Sequence, residues 1–155
     1  MSRRGCNSVT VSCWNVLADS YANYAENQTW TRRLPLLRKA LVENLADILL
    51  LQEIDHYEDF YKPFLEELGY VCEYIQRPEK VDGCLIAYRS HFTLLASEGV
   101  QFNDLAVQYP YAADKYTRHN VALLLILEIE SQRVLIANCH LFWNPAFEDV
   151  KTAQA

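Results

Sequence analysis

The pattern of apolar and polar residues along the chain predicts a mixed α/β fold. The segment "VTVSCWN" places Val9, Val11 and Cys13 on one face and polar residues on the other, which is the alternation of a strand. The segment "ADILLLQ" is apolar throughout, as expected for a strand covered on both faces. Further strands are predicted at "YVCEYIQ", "DGCLIAY", "HFTLLASEGVQF", "NVALLLILEIE" and "RVLIANCH". A tight "SQ" turn is predicted to join the last two.

Two complete helices are predicted between the strands. Thr31 can cap the first, with Pro35 in its first turn, where a missing amide donor is tolerated. The apolar stripe of this helix is formed by Leu34, Leu37, Leu41 and Leu45. The second helix has a stripe formed by Phe60, Phe64 and Leu68, and Gly69 can end it. A tyrosine-rich loop is predicted from about residue 103 to 119, and "PAFEDVKTAQA" is predicted to open a third helix.

Length and charge restrict what such a chain can be. With 155 residues it is long enough for one domain with a core. Its 14 basic and 20 acidic residues give a net charge of −6, which excludes binding to nucleic acid by bulk electrostatics. A local basic surface, or metal ions that bridge carboxylates to phosphate, would still allow that binding.

Cysteine usage and hydropathy indicate the compartment. The five cysteines are odd in number, scattered and without a CxxC pair, which favours a reducing environment. The sequence contains neither an apolar signal core after "MSRRGCNS" nor a run of membrane-spanning length. We expect a soluble cytoplasmic protein without a membrane partner, with the nucleus as the alternative compartment.

Polar residues stand at the ends of several predicted strands. Asn15, Glu53, Asp82, Asn138 and His140 each lie beside an apolar run. Open sheets gather function at strand ends, because the strands hold side chains rigidly while the edge admits a ligand. A hard cation such as Mg²⁺ needs one or two carboxylates, and Glu53 is suited to that role. Each residue alone also has an ordinary structural explanation as a turn former, a solvated residue or a packed ring.

Together, these residues and their neighbours form a more specific pattern. In order, the chain contains "WNVLADSYA", "ADILLLQEID", "KVDGCLIAYRSHFTLL", "VQFNDLA" and "IANCHLFWNP…EDVK". This series resembles the endonuclease/exonuclease/phosphatase superfamily over nearly the whole chain. Within it, the series is most similar to the branch of carbon catabolite repressor type deadenylases, nocturnin, Angel-like proteins and 2′-phosphodiesterases. The resemblance implies a four-layer α/β/β/α sandwich.

The resemblance also implies an activity and a set of site residues. It predicts a Mg²⁺-dependent 3′-to-5′ exoribonuclease that acts on single-stranded poly(A) and releases 5′-AMP. Glu53 then binds one or two Mg²⁺ ions, with Mn²⁺ as the alternative. Asn15 lies near the metal and the scissile phosphate, and His140 contacts that phosphate. Pro145 packs against the adenine base. Asn144 stands where the poly(A)-specific members typically have aspartate, and it can cap a helix equally well.

Three further residues are expected in the same cleft. The resemblance places Asp82 and Asn120 in motifs that line it. Arg118 belongs to the tyrosine-rich loop, whose side chains can touch base or phosphate. The other candidates in this loop are Tyr109, Tyr111, Lys115 and Tyr116. For any one of them, a solvated position is the simpler expectation.

The family also has motifs that this chain lacks. Its members continue with a "GDFN"-type motif and an "SDH"-type motif, which complete the metal and nucleophile site, whereas this sequence stops after "EDVKTAQA". We therefore expect residues 1–155 to form the N-terminal half of one truncated domain. Such a half should be inactive alone and should expose an apolar sheet face, through which it could dimerise.

Two alternatives to a poly(A) nuclease remain open. One is a non-catalytic half-domain that binds RNA or a protein partner through its sheet face. The other is a related phosphodiesterase or phosphatase that acts on 2′–5′ oligoadenylate or on a nucleotide cofactor. If the deadenylase interpretation holds, the expected protein partners are components of messenger-RNA decay assemblies.

Overall fold

A computed structural model describes residues 8–22, 29–44 and 46–155. Leu45 of the predicted helix stripe lies outside these residues. The first sheet is built from β1 (Val11–Asn15), β2 (Ile48–Ile54), β3 (Tyr70–Gln76) and β4 (Gly83–Arg89). Its strand order is β1-β2-β4-β3, with β1 parallel to β2 and the other pairs antiparallel. All four strands were predicted from the sequence.

The second sheet is an antiparallel meander. It consists of β5 (Thr93–Gln101), β6 (Val121–Ile129) and β7 (Gln132–Cys139), in that order. The turn between β6 and β7 is formed by Glu130 and Ser131, whose φ angles of 52° and 66° are those of a two-residue hairpin turn. The prediction of a tight turn is therefore confirmed, but its position was wrong by one residue, since Gln132 already pairs with Ile129.

The helices lie between and after the strands. They are α1 (Trp30–Glu43), α2 (Lys62–Glu67), α3 (Asp104–Gln108), α4 (Ala113–Tyr116) and α5 (Glu148–Gln154). Short turns are formed by Asp19–Tyr21, Tyr57–Tyr61, Pro110–Ala112 and Pro145–Phe147. The segment predicted as a loop instead contains α3 and α4, because helices this short cover too few residues to show a helical period. Gly69 follows α2 with a φ of 85°, as predicted for a helix end.

The start of α1 differs from the prediction. Thr29 occupies the N-cap position and Thr31 lies inside the helix. Trp30 stacks on His56 at 3.9 Å between ring centroids, and the helix therefore begins two residues earlier than the predicted cap at Thr31. Pro35 therefore lies beyond the first turn, inside the helix, where it cannot donate to the carbonyl one turn before it.

Two apolar layers hold the structure together. One lies between the helices and the first sheet and includes Leu37, Leu41, Leu49, Leu51 and Leu65. The other lies between the two sheets and includes Ile48, Ile86, Tyr88, Leu123, Leu125 and Leu127. The continuous apolar run of β2 is explained because successive residues of this strand enter different layers. Among the described residues, no helix is both long and apolar enough to cross a membrane.

Two apolar strand faces are left uncovered within the described residues. On the outer side of the second sheet, Ile126 and Leu135 are 36% and 64% exposed. On β1, Val11 is 53% exposed and Cys13 is also exposed. The predicted alternation of β1 is present, but its Val11–Cys13 face is the exposed one, because β7 packs against β2 and β4. Trp14, on the other face, packs against the helix-side core.

Candidate active site

Strand ends from both sheets meet at a cleft of about 650 Å³. Of the residues predicted from the sequence, the cleft lining includes Asn15, Glu53, Arg118, Asn120 and His140. The lining also includes residues that the sequence did not single out, namely Leu17, Tyr21, Arg77, Lys80, Thr117, His119, Leu141, Phe142 and Trp143. The fold therefore brings together residues more than a hundred positions apart in the sequence.

Glu53 occupies an unusual backbone position in this cleft. Its φ angle is 60°, in the left-handed region that residues other than glycine rarely adopt. The pairing of β2 with β4 shifts at this residue, so Glu53 lies in a β-bulge between Gln52 and Ile54. A bulge re-aims a side chain at the end of a ladder. Backbone strain of this kind costs about 1–3 kcal/mol and is concentrated at functional sites.

The carboxylate of Glu53 is held from two sides. Asn15 donates from Nδ2 to Oε1 at 2.7 Å, and the backbone amide of Ala18 donates to Oε2 at 3.1 Å. The amide oxygen of Asn15 accepts from the backbone of Leu17 at 2.9 Å. Asn15 therefore orients the Glu53 carboxylate and stabilises the loop that follows β1. Each carboxylate oxygen accepts one bond here and keeps a further lone pair for a cation.

His140 faces Glu53 across the cleft. Its Nε2 lies 3.8 Å from Glu53 Oε1. Burial lowers the pKa of His140, although the nearby Glu53 carboxylate acts in the opposite direction. The Nδ1 atom is buried and has no hydrogen-bond partner within the described part of the chain. A neutral imidazole with an unused ring nitrogen is suited to receive a further group at this site.

Asp82 does not line the cleft, so the prediction that it does was wrong. The side chain is fully buried and accepts hydrogen bonds from Tyr21 Oη at 2.6 Å and from Arg77 Nη1 at 3.2 Å. Both partners line the cleft. Burial and the hydrogen bond to Asp82 raise the pKa of Tyr21 to about 12. Asp82 follows a short turn in which the Lys80 amide donates to the carbonyl of Arg77 at 3.2 Å, and the Arg77 amide donates to the carbonyl of Asp82 at 3.0 Å.

Arg77 connects Asp82 to the opposite side of the cleft. Its Nε donates to the carbonyl of His119 at 2.9 Å, and its Nη2 donates to the carbonyl of Arg118 at 3.3 Å. His119 has a φ of 58°, so the guanidinium stabilises a strained turn. Sequence reasoning missed this role of Arg77. The one available signal was a basic residue five positions before the Asp82–Gly83 pair.

Arg118 and Asn120 also take part in fixed contacts. The Arg118 guanidinium packs on the rings of both Phe142 and Phe147, at 4.7 and 4.9 Å from their centroids. Asn120 is buried and donates from Nδ2 to the carbonyl of His140 at 2.8 Å. Its Oδ1 accepts from Gln154 Nε2 at 3.2 Å. Asn120 thereby connects His140 to α5.

Asn138 was expected among the residues that can bind metal or phosphate, and this expectation was wrong. The side chain is 2% exposed and points between the two sheets. Its Oδ1 accepts from Gln52 Nε2 at 2.5 Å, and its Nδ2 donates to the carbonyls of Leu51 and Leu85 at 2.9 and 3.0 Å. Gln52 precedes Glu53 and Asn138 lies two residues before His140, so this contact connects the two sides of the cleft.

Pro145 lies outside the cleft lining. It is exposed at the start of the turn that precedes α5, and Asn144 caps this turn by accepting from the Ala146 amide at 2.9 Å. Asn144 therefore has the capping role that the sequence allowed for it. The remaining loop candidates are also outside the lining: Tyr109 stacks on Tyr116, and Lys115 is paired with Asp149.

The donor set restricts the metal that the cleft can hold. No group of three or more histidine, cysteine or acidic side chains that could hold a metal is found among the described residues. Within the described lining, Glu53 is the one carboxylate. A closed zinc cage therefore does not fit. A Mg²⁺ ion does fit, because it takes few protein carboxylates and fills its other positions with water and substrate phosphate.

Several known proteins are similar to this chain in sequence. The chain is 32% identical over 178 residues to the CCR4-Not complex 3′-5′-exoribonuclease subunit Ccr4 of Yarrowia lipolytica, with 96% of this chain and 25% of the relative covered. It is 38% identical over 134 residues to Protein angel homolog 2 of Bos taurus, covering 81% of this chain and 24% of the relative. No protein-family model matches the chain.

A solved structure supports the same assignment. The crystal structure of ANGEL2, a 2′,3′-cyclic phosphatase, in complex with adenosine-2′,3′-vanadate matches with a TM-score of 0.82 and 32% identity. The match covers 94% of this chain and 45% of the ANGEL2 chain. The present chain thus spans about half of that structure and about a quarter of the two curated relatives.

Fold, cleft and relatives together define the class of protein. The homologues of this chain are members of the endonuclease/exonuclease/phosphatase superfamily, hydrolases that generally depend on a divalent metal ion. Within this superfamily, these homologues are Ccr4, Angel and nocturnin proteins.

Proposed function

We propose that this chain is the N-terminal half of a Mg²⁺-dependent 3′-to-5′ exoribonuclease that acts on poly(A) and releases 5′-AMP. The observation that carries the proposal is the strained bulge that presents Glu53, held by Asn15, towards His140 in one cleft. A 3′-5′-exoribonuclease is also among the relatives at 32% identity. The proposed substrate is single-stranded RNA, and the proposed partners are proteins of messenger-RNA decay.

Each of the three residues has a distinct role in the proposed reaction. Glu53 would hold one or two Mg²⁺ ions, with Mn²⁺ as the alternative, and the bound ion would neutralise phosphate charge and lower the pKa of a water. Asn15 keeps the Glu53 carboxylate in place. Burial favours the neutral form of His140, so that one ring nitrogen carries a proton that it can donate to a phosphoryl oxygen.

We further propose that the cleft is completed by residues beyond those described. The support is the unpartnered Nδ1 of His140 within the described residues, together with Glu53 as the one carboxylate in the described lining. The apolar faces around Val11 and Leu135 give independent support, because apolar sheet faces of this kind are usually covered. On this proposal, residues 1–155 alone have little or no nuclease activity.

A substitution of Glu53 tests the proposed function. In the longest natural form of the protein, Glu53→Gln should lower Mg²⁺-dependent release of 5′-AMP from oligo(A) by at least about 100-fold, because the metal loses its charged ligand. The matched control is Glu43→Gln, since Glu43 is an exposed acid on α1 that pairs only loosely with Lys39 at 3.8 Å. Unchanged hydrolysis by the Glu53 variant would refute the assignment.

A second candidate is hydrolysis of a 2′,3′-cyclic phosphate. The observation that favours it is the match to ANGEL2, which is a 2′,3′-cyclic phosphatase. A panel of oligoadenylates separates the candidates: one ending in a free 3′-hydroxyl, one ending in a 2′,3′-cyclic phosphate and one with 2′–5′ linkages. Progressive shortening of the first supports the exonuclease. Release of inorganic phosphate from the second without shortening supports the phosphatase instead.

A further inference from the structure

Trp143 is the most exposed large aromatic residue in the cleft. The side chain is 75% exposed and yet belongs to the cleft lining. Tryptophan is highly buried on average in folded proteins. Its ring lies 6.4 Å from that of Phe142 with a tilt of 47°, so this neighbour does not cover the indole face. An uncovered indole on the side of a cleft can bind a flat ligand.

The backbone on both sides of Trp143 is held in place. The amide of Phe142 donates to Gln154 Oε1 at 2.8 Å, and Asn144 caps the turn that follows. The Phe142 ring is packed against the guanidinium of Arg118. The indole is therefore presented on an anchored segment although residues 141–144 have no regular secondary structure. Such pre-organisation lowers the entropic cost of binding.

The charges in the same cleft indicate which flat ligand fits. Lys80 and Arg118 supply positive charge to the lining, whereas the Arg77 guanidinium in the same lining is paired with the buried Asp82 carboxylate. A nucleotide combines a flat base with an anionic phosphate, so it matches both features. Proteins that bind single-stranded nucleic acid commonly combine aromatic stacking with such a cationic groove.

We propose that Trp143 is a base-stacking residue that binds a nucleobase of the single-stranded substrate. The proposal rests on the proposed function, since it takes the ligand of the cleft to be a nucleic acid. It assigns a base contact to Trp143, which lines the cleft, whereas Pro145 lies outside the lining. Stacking is tolerant of base identity because every base has a π-face. Trp143 therefore favours purines over pyrimidines by their larger face and does not distinguish adenine from guanine.

Equilibrium binding without divalent metal tests the proposal independently of catalysis. Tryptophan fluorescence is titrated in EDTA with AMP, GMP, UMP and ribose 5-phosphate. We expect quenching by the three nucleotides, with AMP and GMP binding similarly and more tightly than UMP, and no quenching by ribose 5-phosphate. Trp143→Ala should weaken AMP binding about tenfold. Trp143→Phe should keep most of the affinity but lose the quenching.

A matched control and a second readout complete the experiment. Tyr111→Ala removes an aromatic ring that is 86% exposed but outside the cleft lining, so AMP affinity should not change. AMP binding to the non-fluorescent variants is measured by calorimetry. The proposal is overturned if Trp143→Ala binds AMP as the unmodified protein does, or if it loses affinity for ribose 5-phosphate equally. If the alanine variant fails to fold, quenching that persists in Trp143→Phe overturns it. None of these outcomes depends on hydrolysis, which Glu53→Gln tests separately.

Discussion

At the scale of single residues, the candidate site depends on side chains that support one another rather than on isolated ligands. Glu53 is held by Asn15, and the Asn120 side chain binds the His140 backbone and Gln154. Strand-end position and the family resemblance singled out Asn15, Glu53 and His140, which the structure brings into one cleft, while their catalytic roles stay predictions. Neither signal could predict Arg77, whose role depends on His119, 42 residues further along the chain.

Asp82 offers a prediction at this scale. Asp82→Leu leaves the Arg77 guanidinium, which is 12% exposed, without its carboxylate. Removal of one partner of a buried ion pair costs about 3–5 kcal/mol, so urea denaturation should show a large fall in the free energy of unfolding. Arg77→Leu combined with Asp82→Leu should recover part of this loss, since no unpaired charge remains. A single variant as stable as the unmodified protein would contradict the proposed pairing.

At the scale of elements, β2 and β7 form the link between the two sheets that matters most for the cleft. The sequence predicted both strands, because their apolar runs are long, but it could not show that the Asn138 side chain lies between the two sheets. Alternation gives the face of a residue only relative to its neighbours, and both faces of β7 contain apolar residues. The contact between Gln52 and Asn138 joins residues 86 positions apart, which no local pattern reveals.

The two amides can be tested by a double-mutant cycle. Asn138→Leu should destabilise the protein by about 2–4 kcal/mol, because it leaves the Gln52 amide and two buried carbonyls without their donor or acceptor. Gln52→Leu in the same chain should restore part of the stability, since an apolar pair of similar size leaves fewer unpaired groups. Chemical denaturation of the single and double variants measures the coupling. Simple additivity would show that the amides do not act as a pair.

At the scale of the whole molecule, the described residues form a folded core with two apolar faces left open. The family resemblance predicted such an exposed sheet face, and Leu135 shows it on the second sheet. The location of the other face on β1 could not be predicted, because it depends on how far the second sheet extends over the first. In the described residues, β7 is the last strand of the second sheet and packs against β2 and β4.

The reactivity of the cysteines tests which of these strand faces are exposed. Cys13 and Cys139 are exposed, whereas burial raises the pKa of Cys72 and Cys84 to about 12. Since thiolates rather than thiols react, iodoacetamide at pH 8 should modify Cys13 and Cys139 in residues 1–155 and leave Cys72 and Cys84 protected until urea is added. Peptide mapping by mass spectrometry identifies each site. Rapid native modification of Cys84 would contradict the fold described for β4.

The same reaction on the longest natural form tests the proposal that further residues complete the domain. If additional chain packs over β1 and the outer side of the second sheet, the modification of Cys13 and Cys139 should slow strongly, because burial removes the access of the reagent to each thiol. Cys72 and Cys84 should behave as before and serve as internal controls. Equal rates at Cys13 and Cys139 in both forms would mean that these faces stay open. In that case binding to RNA or a protein partner through the sheet face, rather than completion of a nuclease domain, would be the better account of why the chain keeps them apolar.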